Sequence, residues 1–243
     1  MLGRYVPRHE LRPNTISAMY RLFERHFDGP TEGQFLDDLD QKTGALLIED
    51  NYGQVMGFST LLFRTLDYQN EPIAMVYSGD TIMDPSAWNS PILARLWIRS
   101  VLDLHSQCPD LRLFWLLISS GLRTYRFLPT FWQNFYPHPH KDQIEMRDMA
   151  FYLAQQLFPF AFQPETGLVH FYRPQMLKPH LQVVPERLLQ DPFVQHFLER
   201  NPNHLQGDEL VCLTEITEQN LTRAGWRMIQ SGPPSQHRAS MGA

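Results

Sequence analysis

The chain has 243 residues, 43% of them hydrophobic, and its 21 Lys and Arg against 26 Asp and Glu leave a net charge of −5 at neutral pH. That is enough apolar material for one large domain, and a mildly acidic chain with scattered basic residues has no electrostatic case for nucleic acid or an anionic membrane as partner. Cys108 and Cys212 stand far apart, outside any disulfide framework or metal-ligand spacing, which predicts a reducing, cytoplasmic setting.

The opening "MLGRYVPRHELRPN" lacks the apolar core of a signal peptide, and "LFWLLISS" is too short to span a bilayer, so no membrane segment is expected. From Thr15 to Phe27 the spacing of Ile16, Met19, Leu22, Phe23 and Phe27 predicts a helix, with Asn14 or Thr15 as its N-cap. After Gly29-Pro30, "TEGQFLDDLDQK" predicts a shorter helix. The period then changes. Ala45–Glu49 and Val55–Phe63 are β-prone runs around Asp50-Asn51-Tyr52-Gly53, a hairpin signature. "EPIAMVYSGDTIMD" predicts another strand, and Ser78-Gly79 inside it predicts a bulge.

Ser90-Pro91 reads as the start of a helix that runs to about Gln107, followed by "LRLFWLLISS", a strand apolar on both faces. "GLRTYRFLPTFWQNFYP" predicts an aromatic, helical segment in two pieces about Pro129. One more helix, "EMRDMAFYLAQQLFPF", and the turn and strand "QPETGLVHFYRP" complete an alternating α/β pattern. Residues 1–170 thus read as one domain. Residues 171–230, rich in proline with one strand "ELVCLTEI", read as an extension packed on it, and 231–243 as a disordered tail.

This element order, with "FLDDLDQKTGALLIEDNYGQVMGFSTLLF" and the strand end "TIMDP", resembles the GNAT N-acyltransferase superfamily over about residues 5 to 170. The resemblance implies an α/β (α+β) fold: a mixed, twisted β-sheet whose bulged central strand splays from its neighbour, flanked by helices. It implies acetyl-CoA or another acyl-CoA as donor, with the pantetheine arm along the strand at Ile82 and Met83. The diphosphate then falls at the turn before the next helix, at Trp88, Asn89 and Ser90, with Arg95 supplying charge one turn on. Phosphate favours such a place because helix N-termini present unpaired N–H groups and the positive end of the dipole. In the family that turn is glycine-rich. Here Trp88, Pro91 and Leu93 occupy the signature positions.

Acyl transfer to an amine needs a base for the nucleophile and an acid for the departing thiolate. Asp80, just past the bulge, is the expected base, ahead of Glu49 and Asp50, while its other reading is a carboxylate that satisfies backbone amides. Tyr125 is the expected acid, with Tyr136 competing, and an aromatic core wall is the plain reading of either. Ser119 and Ser120 read as donors at the splay or as caps. The "HPHPHKD" turn, with His138, His140 and Asp142, has no metal-site spacing and reads as a solvated or pocket-rim turn. Asp208 and Glu209 read as turn and edge residues, or as ligands for a substrate amine. The partners expected are a small-molecule amine or a protein acceptor, with a homodimer as the open assembly. The other reading is a GNAT-shaped protein without catalysis that binds another ligand or a protein in its cleft.

Overall fold

The elements in chain order are β1 (Leu2–Pro7), α1 (Pro13–His26), β2 (Phe27–Asp28), α2 (Glu32–Asp40), β3 (Gly44–Glu49), β4 (Val55–Tyr68), β5 (Glu71–Met83), α3 (Ile92–Gln107) and β6 (Arg112–Ser119). They continue with α4 (Leu122–Tyr125), α5 (Phe127–Phe131), α6 (Ile144–Leu157), β7 (Phe162–Gln163), β8 (Leu168–Val169), β9 (Met176–Leu177), α7 (Pro192–Arg200), β10 (Glu209–Glu215) and α8 (Arg223–Gln230). The structure, a computed structural model, describes residues 1–29 and 31–230. The tail expected from Ser231 lies outside the described residues.

Eight strands form one sheet in the order β1-β3-β4-β5-β6-β10-β8-β7, and β2 pairs with β9 apart from it. Within the large sheet every neighbouring pair is antiparallel except β5 with β6, which α3 connects as a crossover. One face packs α3, α4, α7 and α8 against Val76, Trp115, Leu117 and Cys212; the other packs α1 and α2 at one end and α6 at the other.

Several boundaries differ from those the sequence predicts. β1 has no counterpart in the reading, because an edge strand that buries only Tyr5 and Val6 among exposed residues shows too little alternation. α1 begins at Pro13, whose fixed φ suits a first turn, with Arg12 rather than Asn14 or Thr15 at the cap position. β4 runs past Phe63 to Tyr68 and turns through Gln69 and Asn70, both at positive φ (53° and 66°), so a two-residue hairpin extends polar strands the composition had ended. The break in the aromatic segment falls at Arg126, not Pro129. Proline sits in the first turn of α5, where its missing N–H has no helix partner to lose.

Residues 171–230 contribute to the sheet itself. β10 lies between β6 and β8, antiparallel to β6 from Leu210 to Glu215. Asn220 ties this segment to the chain before α6. Its Nδ2 donates to Asn134 O, Thr214 Oγ1 and Glu215 O, and its Oδ1 accepts from Asn134 N. α8 packs on α3, where Arg99 Nη2 donates to Ile229 O.

The bulge expected at Ser78-Gly79 is present and decides which way Asp80 faces. Phe58 and Leu62 are four apart on β4 and share a face, yet their partners Ile82 and Tyr77 are five apart on β5. The extra residue falls at Gly79-Asp80, opposite Thr60. It turns Asp80 onto the face that carries Tyr77 and Ile82. A Cβ on Gly79 would come within 2.5 Å of Thr60 Oγ1 and 2.8 Å of Lys42 Cε, so the close approach requires glycine.

Candidate active site

The parallel ladder between β5 and β6 ends at Ser78 and Leu117, while β5 stays paired with β4 as far as Met83. The edge of Gly79–Met83 that faces β6 therefore has no strand partner, and the two strands part. Trp115 Nε1 donates to Ser78 Oγ at 2.8 Å, which pins the last paired row. A cleft of about 680 Å³ occupies the opening and continues past α3, α4 and the segment around β9.

On the α2 face the cleft is acidic. Asp80 and Glu209 line it with Asp38 and Tyr77, and the buried Lys42 ammonium bonds Asp38 Oδ1 at 2.5 Å and stands 5.3 Å from the centre of the Tyr77 ring. Burial, then the charge of Asp38, pushes the Asp80 carboxyl up to about 7, against the pull of Lys42 and a hydrogen bond from Gln175. Burial, then Asp80 and Asp38, pushes Glu209 up to about 8. Tyr77 is held well above the ordinary phenol range by burial, with Glu209, Asp38 and Asp80 adding to it. One buried ammonium thus shares this face with three carboxyl groups; at neutrality Asp80 is about half ionised and Glu209 mostly protonated.

On the α3 and α4 face the cleft is basic and apolar. Arg123 and Arg126 line it above Trp88, and the Arg123 guanidinium stacks 4.0 Å from the centre of the Trp88 ring system. Desolvation, then Arg126, lowers the Arg123 pKa. Trp88 Nε1 donates to Met83 O at 2.8 Å, so the Trp88 side chain closes the end of β5. Ser90 Oγ accepts from Ile92 N, and the sixteen-residue α3 begins there, with Leu93 and Ala94 of its first turn lining the cleft. Beyond the break at Arg126, Phe127 and Phe131 of α5, four apart on that helix, carry the lining on.

The cleft gathers Asp80, Ile82, Met83, Trp88, Asn89 and Ser90. Tyr125 and Arg95 do not join them. Tyr125 is fully buried against Phe197, with its hydroxyl donating to Pro137 O and its pKa raised chiefly by burial, so the expected acid is a core residue. Arg95 does not line the cleft, and its Nε is buried without a partner among the described residues. Tyr136 is also buried and receives a bond from Arg200 Nη2. Ser119 and Ser120 both line the opening, with Ser119 Oγ engaged with Gly121, accepting from its N and donating to its O.

The reading missed Asp38 and Lys42, whose i, i+4 opposite charges at the end of α2 are a recognisable signal. It also missed Arg123 and Arg126, which no local pattern marks. His138 and His140 pack edge-on against Phe193 at a second cavity of about 510 Å³ that includes His138 in its lining. Among the described residues no group of three His, Cys, Asp or Glu is placed to hold a metal ion, and no helix is long and apolar enough to cross a membrane.

No family model matches the chain, and no curated protein matches its sequence. Among solved structures it is similar to a conserved Enterococcus faecalis protein described as a probable N-acyltransferase, at 14% identity and TM-score 0.43 over 56% of this chain and 33% of that one. The chain therefore matches about a third of that protein's length. It is also similar to the Escherichia coli GNAT family N-acetyltransferase YhbS in complex with CoA (21% identity, TM-score 0.37, 54% of this chain and 67% of that one). A third is Arabidopsis thaliana NAA60 in complex with a bisubstrate analogue (14%, 0.40, 55% and 86%). All three scores lie below 0.5. The strand order, the one parallel pair among the described strands and the splay beside a bulge define a GNAT-like fold on their own.

Proposed function

We propose that the protein is an N-acyltransferase that moves an acyl group from acyl-CoA, or another phosphopantetheine thioester, to an amine. One observation carries the reading: a single cleft through the β5–β6 opening joins two arginines on one face to a desolvated carboxylate, Asp80, on the other. The donor set fits a thioester with an anionic tail. The unpaired edge of Gly79–Met83 offers peptide groups to a pantetheine arm. Arg123, Arg126, Ser90 and the first turn of α3 offer positive charge and donors to a diphosphate, in place of the glycine turn.

Bound there, the donor supplies an activated carbonyl with a thiolate leaving group. Asp80 takes the proton of the attacking amine. A carboxyl near 7 is half ionised at neutrality and is a far stronger base than one near 4, so burial tunes it to the task. The excess of carboxyls over ammonium groups on this face favours an acceptor that arrives as an ammonium, which gives one proton to solvent as it enters and the second to Asp80 as the amine attacks.

Calorimetric titration with acetyl-CoA, followed by thiol-release assays over a panel of primary amines, tests the reading. Binding in the micromolar range and transfer that falls by about 10²–10⁴-fold in Asp80→Asn are expected. No binding at millimolar acetyl-CoA, or transfer untouched in D80N, overturns it; a protein that binds only a partner or another ligand gives the first result.

A further inference from the structure

With Tyr125 in the core, the reaction lacks a proton donor for the sulfur, and the register of the sheet supplies one. Tyr77 pairs with Leu116 on β6, and Leu116 with Leu213 on β10. Leu213, Val211 and Glu209 alternate along β10 and so share the face of Tyr77. The bulge has put Asp80 on that same face. β6 leaves its ladder with β5 after Leu117 but stays paired with β10 as far as Ser119, opposite Leu210, so Ile118 follows Leu116 on this face and Glu209 lies one residue beyond the last row that β6 and β10 share. Asp80 and Glu209 thus stand on opposite banks of the splay, two strand spacings apart and offset by about two residues along the strands, because Glu209 lies four residues from the Leu213 row and Asp80, across the bulge, about two from the Tyr77 row; flat-sheet spacing puts their Cα atoms about 12 Å apart before the strands part. Both line the cleft, and Glu209 makes no side-chain hydrogen bond or ion pair among the described residues.

We propose that Glu209 is the proton donor to the departing thiolate, facing Asp80 across the mouth of the splay. The inference rests on the acyltransferase reading above. The amine nitrogen forms a bond to the thioester carbonyl carbon as the carbon–sulfur bond breaks; the amine proton goes to Asp80, and the Glu209 proton goes to sulfur. The products are an amide and a free thiol. The cycle ends with Asp80 protonated and Glu209 ionised, and exchange of one proton between the two banks, or with solvent, restores both. The groups around Glu209 favour a neutral carboxyl at rest. Asp38 and Asp80 face it as anions or potential anions, Tyr77 is neutral, Lys42 is committed to Asp38, and the neighbouring Asp208 is committed to His170 at 2.5 Å. Arg173 and His204 line the same cleft. The principle is that of two carboxyls kept in different protonation states by their surroundings.

The test has two arms. In the first, protein with 13C-labelled glutamate carboxyls is titrated by NMR, with Glu209→Gln assigning the resonance. A Glu209 signal that is still protonated at pH 7 supports the proposal, and one that titrates near an ordinary glutamate overturns it. In the second, wild type, E209Q and D80N are assayed with acetyl-CoA over the amine panel across pH. The expected result for E209Q is a loss of about 10²-fold in kcat with the alkaline limb of the profile abolished and KM for acetyl-CoA little changed. An aryl thioester, whose thiolate leaves without a proton, narrows the gap between wild type and E209Q, which a merely structural role does not do. Full activity of E209Q with an intact alkaline limb refutes Glu209 alone. Inactivity of the wild type towards every amine refutes the acyltransferase reading, and this inference falls with it.

Discussion

Replacing Gly79 with alanine tests whether the bulge, and with it the aim of Asp80, depends on a close approach. Gly79 is not at positive φ, so contact alone sets the cost of a side chain. The new Cβ meets Thr60 Oγ1 at 2.5 Å and Lys42 Cε at 2.8 Å. The lysine end can shift, but Thr60 is fully buried on a paired strand and cannot. Overpacking of this kind costs about 1–3 kcal/mol, offset by up to about 1 kcal/mol from the stiffer unfolded chain. A net loss near 2 kcal/mol lowers Tm by about 4–8 °C in a chain of this size. Thr60 also buries its hydroxyl without a partner among the described residues, so Thr60→Ala removes both the obstacle and an unsatisfied polar atom and shifts stability by only about 1 kcal/mol. In the T60A background the alanine at 79 should then cost under about 1 kcal/mol. Denaturant unfolding of the four proteins of this cycle measures the coupling. Strict additivity of the two substitutions refutes the close-approach explanation of the glycine.

Tyr125→Phe leaves the Pro137 carbonyl without its donor; about 1 kcal/mol of stability is lost while transfer activity stays at the wild-type level, measured by unfolding and thiol release. Arg123→Ala weakens acetyl-CoA binding by about tenfold or more in calorimetry and flattens its salt dependence, whereas Arg95→Ala leaves binding unchanged. Transfer rises with pH through about 7 as Asp80 ionises, and D80N loses that limb. Stability runs the other way. Both carboxyls have raised values in the folded protein, about 7 for Asp80 and about 8 for Glu209, against about 4 in an unfolded chain. Their contribution is complete below about pH 4 and is lost as pH rises through 7 and 8, so Tm falls across that window and the D80N/E209Q double variant flattens the fall.

Local sequence determined much of this protein. The hairpin signature at Asp50–Gly53, the apolar run of β6 and the glycine inside β5 follow from side-chain period and backbone freedom, which act over a few residues. The same signals marked Asp80 and the turn before α3 as places of interest. Tertiary structure decided the partners. Asp38 and Lys42 at the end of α2, Asp80 on β5 and Glu209 on β10 come from three places far apart in the chain, and only tertiary packing and strand register bring them to one face of the sheet. Tyr125 carries the right chemistry at the expected position, yet its side chain turns into the core, because the short helix that starts after Gly121 buries Tyr125 while presenting Leu122 and Arg123 to the cleft. Periodicity says that a helix has two sides, and packing chooses which of them meets the ligand.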